Sequence, residues 1–219
     1  MVYLILGAGR FGRLAFRRLS QQDDSAGFVV VDHDPQALEG IQAKNPGVIT
    51  CVEAEAVAFL SENLRDKPIW DWVLPMMPGH VAFGWLRRRL PASFRCLTVP
   101  VPEPLEAMAP VALRGPEGEL YLSRASHVCP DDCLEPEEGC PISGLYWERP
   151  LFEELRRVSL PGWRVLVMAS RQLAPGVGGY SPGQLLEMVS QFGGSEEAFL
   201  IATACRCHGV VHGVRGGAF

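Results

Sequence analysis

No stretch of this 219-residue chain is both long and apolar enough to read as a membrane span. The two most apolar long segments fail: 70–86 carries Asp71, His80 and two prolines, and 198–214 carries Arg206 and His208. An excess of positive charge is also missing. Lys and Arg number 20 against 25 Asp and Glu, a formal net charge of −5, which argues against a general nucleic-acid surface. Met1-Val2-Tyr3 runs at once into an apolar strand, which leaves no room for a signal peptide, so a cytoplasmic protein without membrane insertion is expected. There is no internal repeat and no low-complexity tract. What remains, 47% hydrophobic and 21% charged, suits one large or two small globular domains.

The most informative residues are 3–12 and Asp32. Tyr3-Leu4-Ile5-Leu6 reads as a buried strand and runs into Gly7-Ala8-Gly9-Arg10-Phe11-Gly12, a G-x-G-x-x-G, and then into a helical pattern. A second apolar run, Phe28-Val29-Val30-Val31, ends on Asp32. Strand, glycine turn, helix, second strand and an acid about 20 residues on make up a dinucleotide-binding unit. Gly7 allows the tight turn, Gly9 lets a pyrophosphate approach the backbone, and Gly12 lets the helix pack close to the sheet. The positive end of the helix, with Arg10 and Phe11 in its first turn, then faces the phosphates. Asp32 would accept from both ribose hydroxyls and repel a 2′-phosphate, favouring NAD(H) over NADP(H). The alternative is a glycine turn in an ordinary α/β protein.

Alternation continues beyond that unit. Strands are expected over 3–6, 28–31, 48–52, 72–74 and 94–99, and helices over 11–21, 35–44, 55–64 and 81–90. In the first helix Phe11, Leu14, Ala15 and Leu19 form the apolar stripe. Strands this apolar imply a doubly wound parallel sheet of Rossmann type, covered on both faces. Pro100-Val101-Pro102-Glu103-Pro104 breaks the pattern. It divides a dinucleotide-binding domain over 1–104 from a second, smaller α/β region over 105–219. There, strands are expected over 119–123, 164–170 and 198–207, with helices over 151–158 and 182–192.

Seven cysteines in a reducing compartment read as metal ligands or redox groups before disulfides. Cys51 and Cys96, alone in strand-like runs, read as small buried hydrophobes. Cys129, Cys133 and Cys140 form C-x3-C-x6-C in one loop, and Cys205, Cys207 and His208 form C-x-C-H near the end. On a strand, Cys205 and Cys207 would share one face and Arg206 and His208 the other. Together these groups offer a soft four-ligand site, for zinc or for an iron–sulfur cluster. Free or redox-active thiols are the alternative. A cluster would accept single electrons where nicotinamide gives two, and a second dinucleotide fingerprint for a flavin is missing.

Two histidines are candidate acid–base groups. His80 follows the fourth strand, at the end of the sheet where doubly wound folds bind ligands, and would otherwise be a helix-start histidine in a turn. His127 adjoins the cysteine loop and could ligate, orient a ligand, or simply fill a turn. Gly176-Val177-Gly178-Gly179-Tyr180-Ser181-Pro182 reads as an anion-holding helix start or as a plain connection. Arg87-Arg88-Arg89 reads as a solvated helix face.

Residues 2–40, above all Leu6-Gly7-Ala8-Gly9-Arg10-Phe11-Gly12 and Val30-Val31-Asp32-His33-Asp34-Pro35, resemble the nucleotide-binding domain of Trk-type potassium-uptake regulators, the RCK/KTN family. The resemblance implies a fold that binds NAD or NADH through Gly7, Gly9, Gly12 and Asp32. It also implies a homo-oligomer that conveys ligand state to a membrane transporter or another protein partner. The chain departs from that family in having Cys51-Val52-Glu53-Ala54-Glu55 where members carry a Gly-Asp pair, and the cysteine segments belong to no regulator pattern. Three readings follow: an NAD(H)-binding regulatory or sensory protein with a thiolate metal site, an NAD-dependent oxidoreductase using His80, His127 or a zinc-bound water, and an iron–sulfur redox protein.

Overall fold

The computed structural model describes residues 1–42, 49–90, 95–135, 139–192 and 198–217. It divides into two compact units, Met1–Arg89 with Arg171–Glu187, and Leu90–Ser170 with Met188–Phe219.

The first unit begins with β1 (Val2–Leu6), α1 (Arg10–Gln22), β2 (Gly27–Asp32), α2 (Pro35–Gln42), β3 (Ile49–Glu53), α3 (Ala56–Asn63), β4 (Trp72–Pro75) and α4 (Val81–Arg89). Its four strands are parallel in the order β3-β2-β1-β4. This is the expected Rossmann-like sheet. The order reverses at β1, so the glycine turn at its carboxyl end lies at the switch point where such sheets bind ligands. The last residues of the expected second helix, 43–44, and the starts of the strands at 48 and 94 lie outside the described residues.

The buried stripe of α1 is Gly12, Ala15, Phe16 and Leu19, with Leu14 beside it. Phe11, expected in that stripe, is 48% exposed. The reason is rotational. Gly12 takes the position against the sheet, so Phe11 lies about 100° round the helix from it. Ala15, Phe16 and Leu19 pack with Ile5, Phe28, Val30 and Leu74 in one core, and Cys51 packs against it as a small apolar group.

The second unit holds β5 (Arg95–Val99), a 3-10 turn (Glu103–Met108), β6 (Val111–Arg114), β7 (Leu120–Ser123), α5 (Leu151–Arg156) and β8 (Trp163–Ala169). The chain then returns to the first unit through β9 (Arg171–Ala174), β10 (Val177–Gly179) and most of α6 (Pro182–Gln191). It closes the second unit with β11 (Ala198–Ala204) and β12 (His208–Gly217). One mixed sheet results, in the order β6-β7-β12-β11-β8, with β5 also on β12. Only β8 and β11 run parallel there. Central β11 is buried on both faces over Ala198–Ile201 and Ala202. Leu200, Ala202 and Ala204 share a core with Leu120, Leu122, Val211, Leu151 and Leu155.

Three expectations change. The strand expected over 94–99 is not the fifth parallel strand, because β5 pairs antiparallel with β12 (Val99 opposite Gly213, Leu97 opposite Arg215). An apolar run specifies a strand but not its partner. The units part between Arg89 and Leu90, ahead of the 100–104 segment, and 171–187 is assigned to the first. Finally, the strand expected over 198–207 stops at Ala204, and a hairpin turn at 205–207 leads into β12. Strand β12 is glycine-rich, which hid it. Among the described residues no helix is long and apolar enough to cross a membrane.

Candidate functional site

The glycine turn is built as its sequence requires. Gly7 has φ of 108°, and a Cβ there would stand 2.6 Å from the Met76 carbonyl oxygen. A Cβ on Gly12 would stand 1.9 Å from the Gly7 oxygen, so only glycine lets α1 approach this closely. Gly9 differs: nothing lies within 4 Å of its missing Cβ. It is the N-cap of α1, and no side chain caps the helix there. The face that a pyrophosphate would need is therefore open and backbone-lined. Arg10 lies with its guanidinium carbon 5.5 Å from the centre of the Phe11 ring, on the same first turn.

Asp32 ends β2 beside this turn. Its Oδ2 accepts from the Ala8 amide at 2.6 Å and its Oδ1 from the Asp34 amide at 2.9 Å, with His33 Nδ1 3.3 Å from Oδ1. Burial opposes its charge, but the Ala8 and Asp34 amides and then His33 outweigh it, and the carboxyl is held below its ordinary value. Each oxygen keeps a lone pair for a further donor.

Met76 donates its amide to the Leu6 carbonyl at 2.8 Å, which sets the loop after β4 against the glycine turn. His80 closes that loop, 9% exposed, with its carbonyl accepting from the Gly84 amide at 3.0 Å and its ring 6.1 Å from Phe83. The glycine segment 176–182 is a hairpin turn and its return strand, which runs into the start of α6 at Pro182. Gly176 turns at φ 62°, Val177–Gly179 pair with β9, and Tyr180 exchanges both backbone bonds with Val73.

The second unit sets three of its cysteines beside histidines. Cys129 Sγ is 3.7 Å from His208 Nε2, Cys140 Sγ is 3.8 Å from His127 Nε2, and Cys205 Sγ is 3.9 Å from His208 Nδ1. Burial, and then the charges of nearby Cys133 and Cys140, push the Cys129 thiol up. Burial and then Cys140 do the same to Cys133. Burial, with Cys205 next, pushes Cys207 up to about 12. Cys140 goes the other way: the Ser143 side chain first, then the Ser143 and Ile142 amides, hold it below the ordinary thiol value.

Because the chain turns at 205–207, the expected alternation of Cys205 and Cys207 against Arg206 and His208 does not occur. The Cys205 amide bonds the His208 carbonyl at 2.8 Å, and the amides of Cys207 and His208 point at Cys205 Sγ at 3.4 and 3.3 Å. Among the described residues no group of three His, Cys, Asp or Glu side chains forms a ready coordination shell for a metal ion. The expected set of Cys129, Cys133, Cys140, Cys205, Cys207 and His208 is present as thiol–imidazole pairs, not as a closed site. His127, a candidate acid–base group, pairs with Cys140 and belongs to a different unit from His80.

Sequence reading missed Ser143 and Glu135. Ser143 was detectable, three residues after Cys140 in a C-P-x-S turn. Glu135, which accepts from the Arg206 amide at 2.7 Å, left no local signal because 71 residues separate the pair.

The TrkA-N domain model matches residues 3–63. A second model, described as "Uncharacterized protein, C-terminal domain", matches residues 82–216. An Archaeoglobus fulgidus protein described as "Uncharacterized protein" is 28% identical over 222 residues, covering 95% of this chain and 96% of that one. No solved structure matches.

Proposed function

Because this chain belongs, through residues 82–216, to the family described as "Uncharacterized protein, C-terminal domain", and opens with a TrkA-N-like Rossmann domain, we propose that it is an NAD(H)-binding protein of regulatory or sensory type. One observation carries the reading: the open, backbone-lined face at Gly9 beside a charged Asp32. Gly7, Gly9, Gly12 and the first turn at Arg10 and Phe11 would receive the pyrophosphate, and Asp32 the adenosine ribose. When bound, the cofactor supplies a nicotinamide whose redox state can be sensed. The residues here hold it and favour the form without a 2′-phosphate. Nucleotide state would pass to a protein partner, such as a transporter in potassium uptake, from a homo-oligomeric assembly.

The second unit is read as a thiolate metal module. The loop over 124–150 contains no helix or strand among its described residues. Most of its large apolar side chains face outwards, Val128 at 95%, Tyr146 at 67% and Leu134 at 66% exposure. Hydrophobic burial therefore does little to fix this loop, and its convergent cysteines and histidines are the natural staple.

Fluorescence titration with NADH, against NADPH, tests the nucleotide reading. Saturable NADH binding, at least tenfold tighter than NADPH and without consumption of NADH when small carbonyls are added, is the expected result. Turnover would replace it with the oxidoreductase reading, in which His80 is the acid–base candidate within the same unit as the glycine turn. No binding would remove both.

A further inference from the structure

Two turns in the second unit share one device. In Cys140-Pro141-Ile142-Ser143 the turn sets the first sulfur 3.8 Å from His127 Nε2. In Cys205-Arg206-Cys207-His208 the first sulfur accepts from the amides two and three residues on, and the turn sets it 3.9 Å from His208 Nδ1. A glycine with φ of 155° at position 139 lets the first turn form; a Cβ there would stand 2.4 Å from the Leu145 oxygen.

The pair distances point the same way. With Zn–S about 2.3 Å and Zn–N about 2.1 Å, a tetrahedral angle separates sulfur from nitrogen by roughly 3.6 Å. Cys129–His208 at 3.7 Å and Cys140–His127 at 3.8 Å each have the length of such an edge. The two edges are neighbours, since His127 and Cys129 stand two residues apart in one segment. His208 presents Nε2 to Cys129 and Nδ1 to Cys205. A ligating imidazole characteristically gives its second N–H to an acceptor that fixes its tautomer.

We propose that Cys129, Cys140, His127 and His208 bind one zinc-class divalent ion through two sulfurs and two ring nitrogens, with Cys205 orienting His208 from behind. The inference rests on the thiolate-metal reading of this unit and narrows its ligand set. Binding draws the two pairs onto one centre. Two S–H bonds break and two S–metal bonds form, two protons go to solvent, the neutral imidazoles give lone pairs, and no electrons are transferred. The two thiolate charges match the ion, so the site is neutral overall. Four ligands from three separated segments would then close the irregular loop onto the β11–β12 turn. Cys133 and Cys207 are left outside the shell.

The test is metal content of the full-length protein, with cobalt substitution as an optical readout. Wild type should hold about one equivalent of zinc, and its cobalt form should give the spectrum of a two-thiolate, two-imidazole tetrahedron. Cys140→Ser and His127→Asn should each weaken zinc at least tenfold in chelator competition, while Cys133→Ser, Cys207→Ser and Cys51→Ser stay within about twofold. A four-thiolate cobalt spectrum, or zinc kept by the His127 variant but lost on replacing Cys133 or Cys207, overturns this ligand set and leaves the broader metal reading standing. Iron with sulfide does the same. A wild-type protein that takes up no metal overturns both. The cobalt spectrum is read on wild type, so a variant that fails to fold does not remove the test.

Discussion

The Ala8 amide donates to the Asp32 carboxylate at 2.6 Å across 24 residues of sequence, so the acid expected to read the ribose also braces the glycine turn. Its removal should act twice. Asp32→Ala should weaken NADH binding at least tenfold and lower folding stability by about 1–3 kcal/mol, the range for losing bonds to a charged acceptor. Thermal unfolding and NADH titration measure the two losses, and an unchanged value in either removes that role.

The pH dependence of that difference has a definite sign. The folded-state carboxyl lies below its ordinary value, so its stabilisation is complete above the usual carboxylate range. It fades as pH falls through the folded value. Wild type and Asp32→Ala should therefore converge in stability in acid and separate towards neutral pH. A gap that is constant with pH would show that the charge is not involved.

Specificity should be separable from support. His33 is 87% exposed beside Asp32. Asp32→Ala with His33→Arg exchanges a repelling charge for an attracting one, and the NADH-to-NADPH affinity ratio should fall by at least tenfold. A ratio that does not move would place the adenosine ribose elsewhere.

Gly9 and Gly12 should fail in different ways. A side chain at Gly9 enters open space, whereas one at Gly12 meets the Gly7 oxygen at 1.9 Å. Gly9→Val should fold with near wild-type melting and lose nucleotide binding. Gly12→Ala should lose several kcal/mol of stability, because backbone must move. Equal melting of the two variants would contradict the geometry.

Arg124 is 2% exposed, pairs with Glu154 Oε2 at 2.6 Å and donates to the carbonyls of Arg149 at 2.6 Å and Arg206 at 3.3 Å. It ties the strand-end segment after β7 to the stretch before α5 and to the cysteine turn. Arg124→Met should cost about 3 kcal/mol, since the carbonyls lose a donor and the carboxylate its partner. Glu154, partly exposed, can find water, so Glu154→Gln should cost less. Chemical denaturation of both variants decides.

What sequence could reveal here followed the reach of each signal. The Rossmann unit was legible because its parts are local and ordered: Tyr3–Leu6 feeds the glycines, and Asp32 ends the next strand. The second unit was harder. Arg95–Val99 has the composition of a further parallel strand, and nothing within it tells that its partner is Gly213–Gly217, more than a hundred residues on. Periodicity also extends the strand past Ala204 to Cys207, because a two-residue alternation cannot distinguish a strand from a turn whose amides bond a sulfur. Phe11 was placed in the core by its apolarity, although Gly12 had already taken the sheet-facing position. The cysteine segments and the adjoining His127 are legible as a set, but which thiol meets which imidazole, as Cys140 meets His127, is visible only in the geometry.

The return of Arg171–Glu187 to the first unit carries a consequence for the order in which the protein can be made. The edge of β4 is met by Tyr180, bonded both ways to Val73, and Ala174 and Val177 enter the core beside β1 and β2. A ribosome that has released only residues 1–89 has delivered every parallel strand of that sheet, yet its outer edge is still bare and its core incomplete. Some eighty further residues must emerge before the hairpin arrives to finish it, as the interleaved boundaries require. The nucleotide half is thus begun first and finished late, and the nascent chain passes through a stage in which an unfinished sheet edge stands open to other chains.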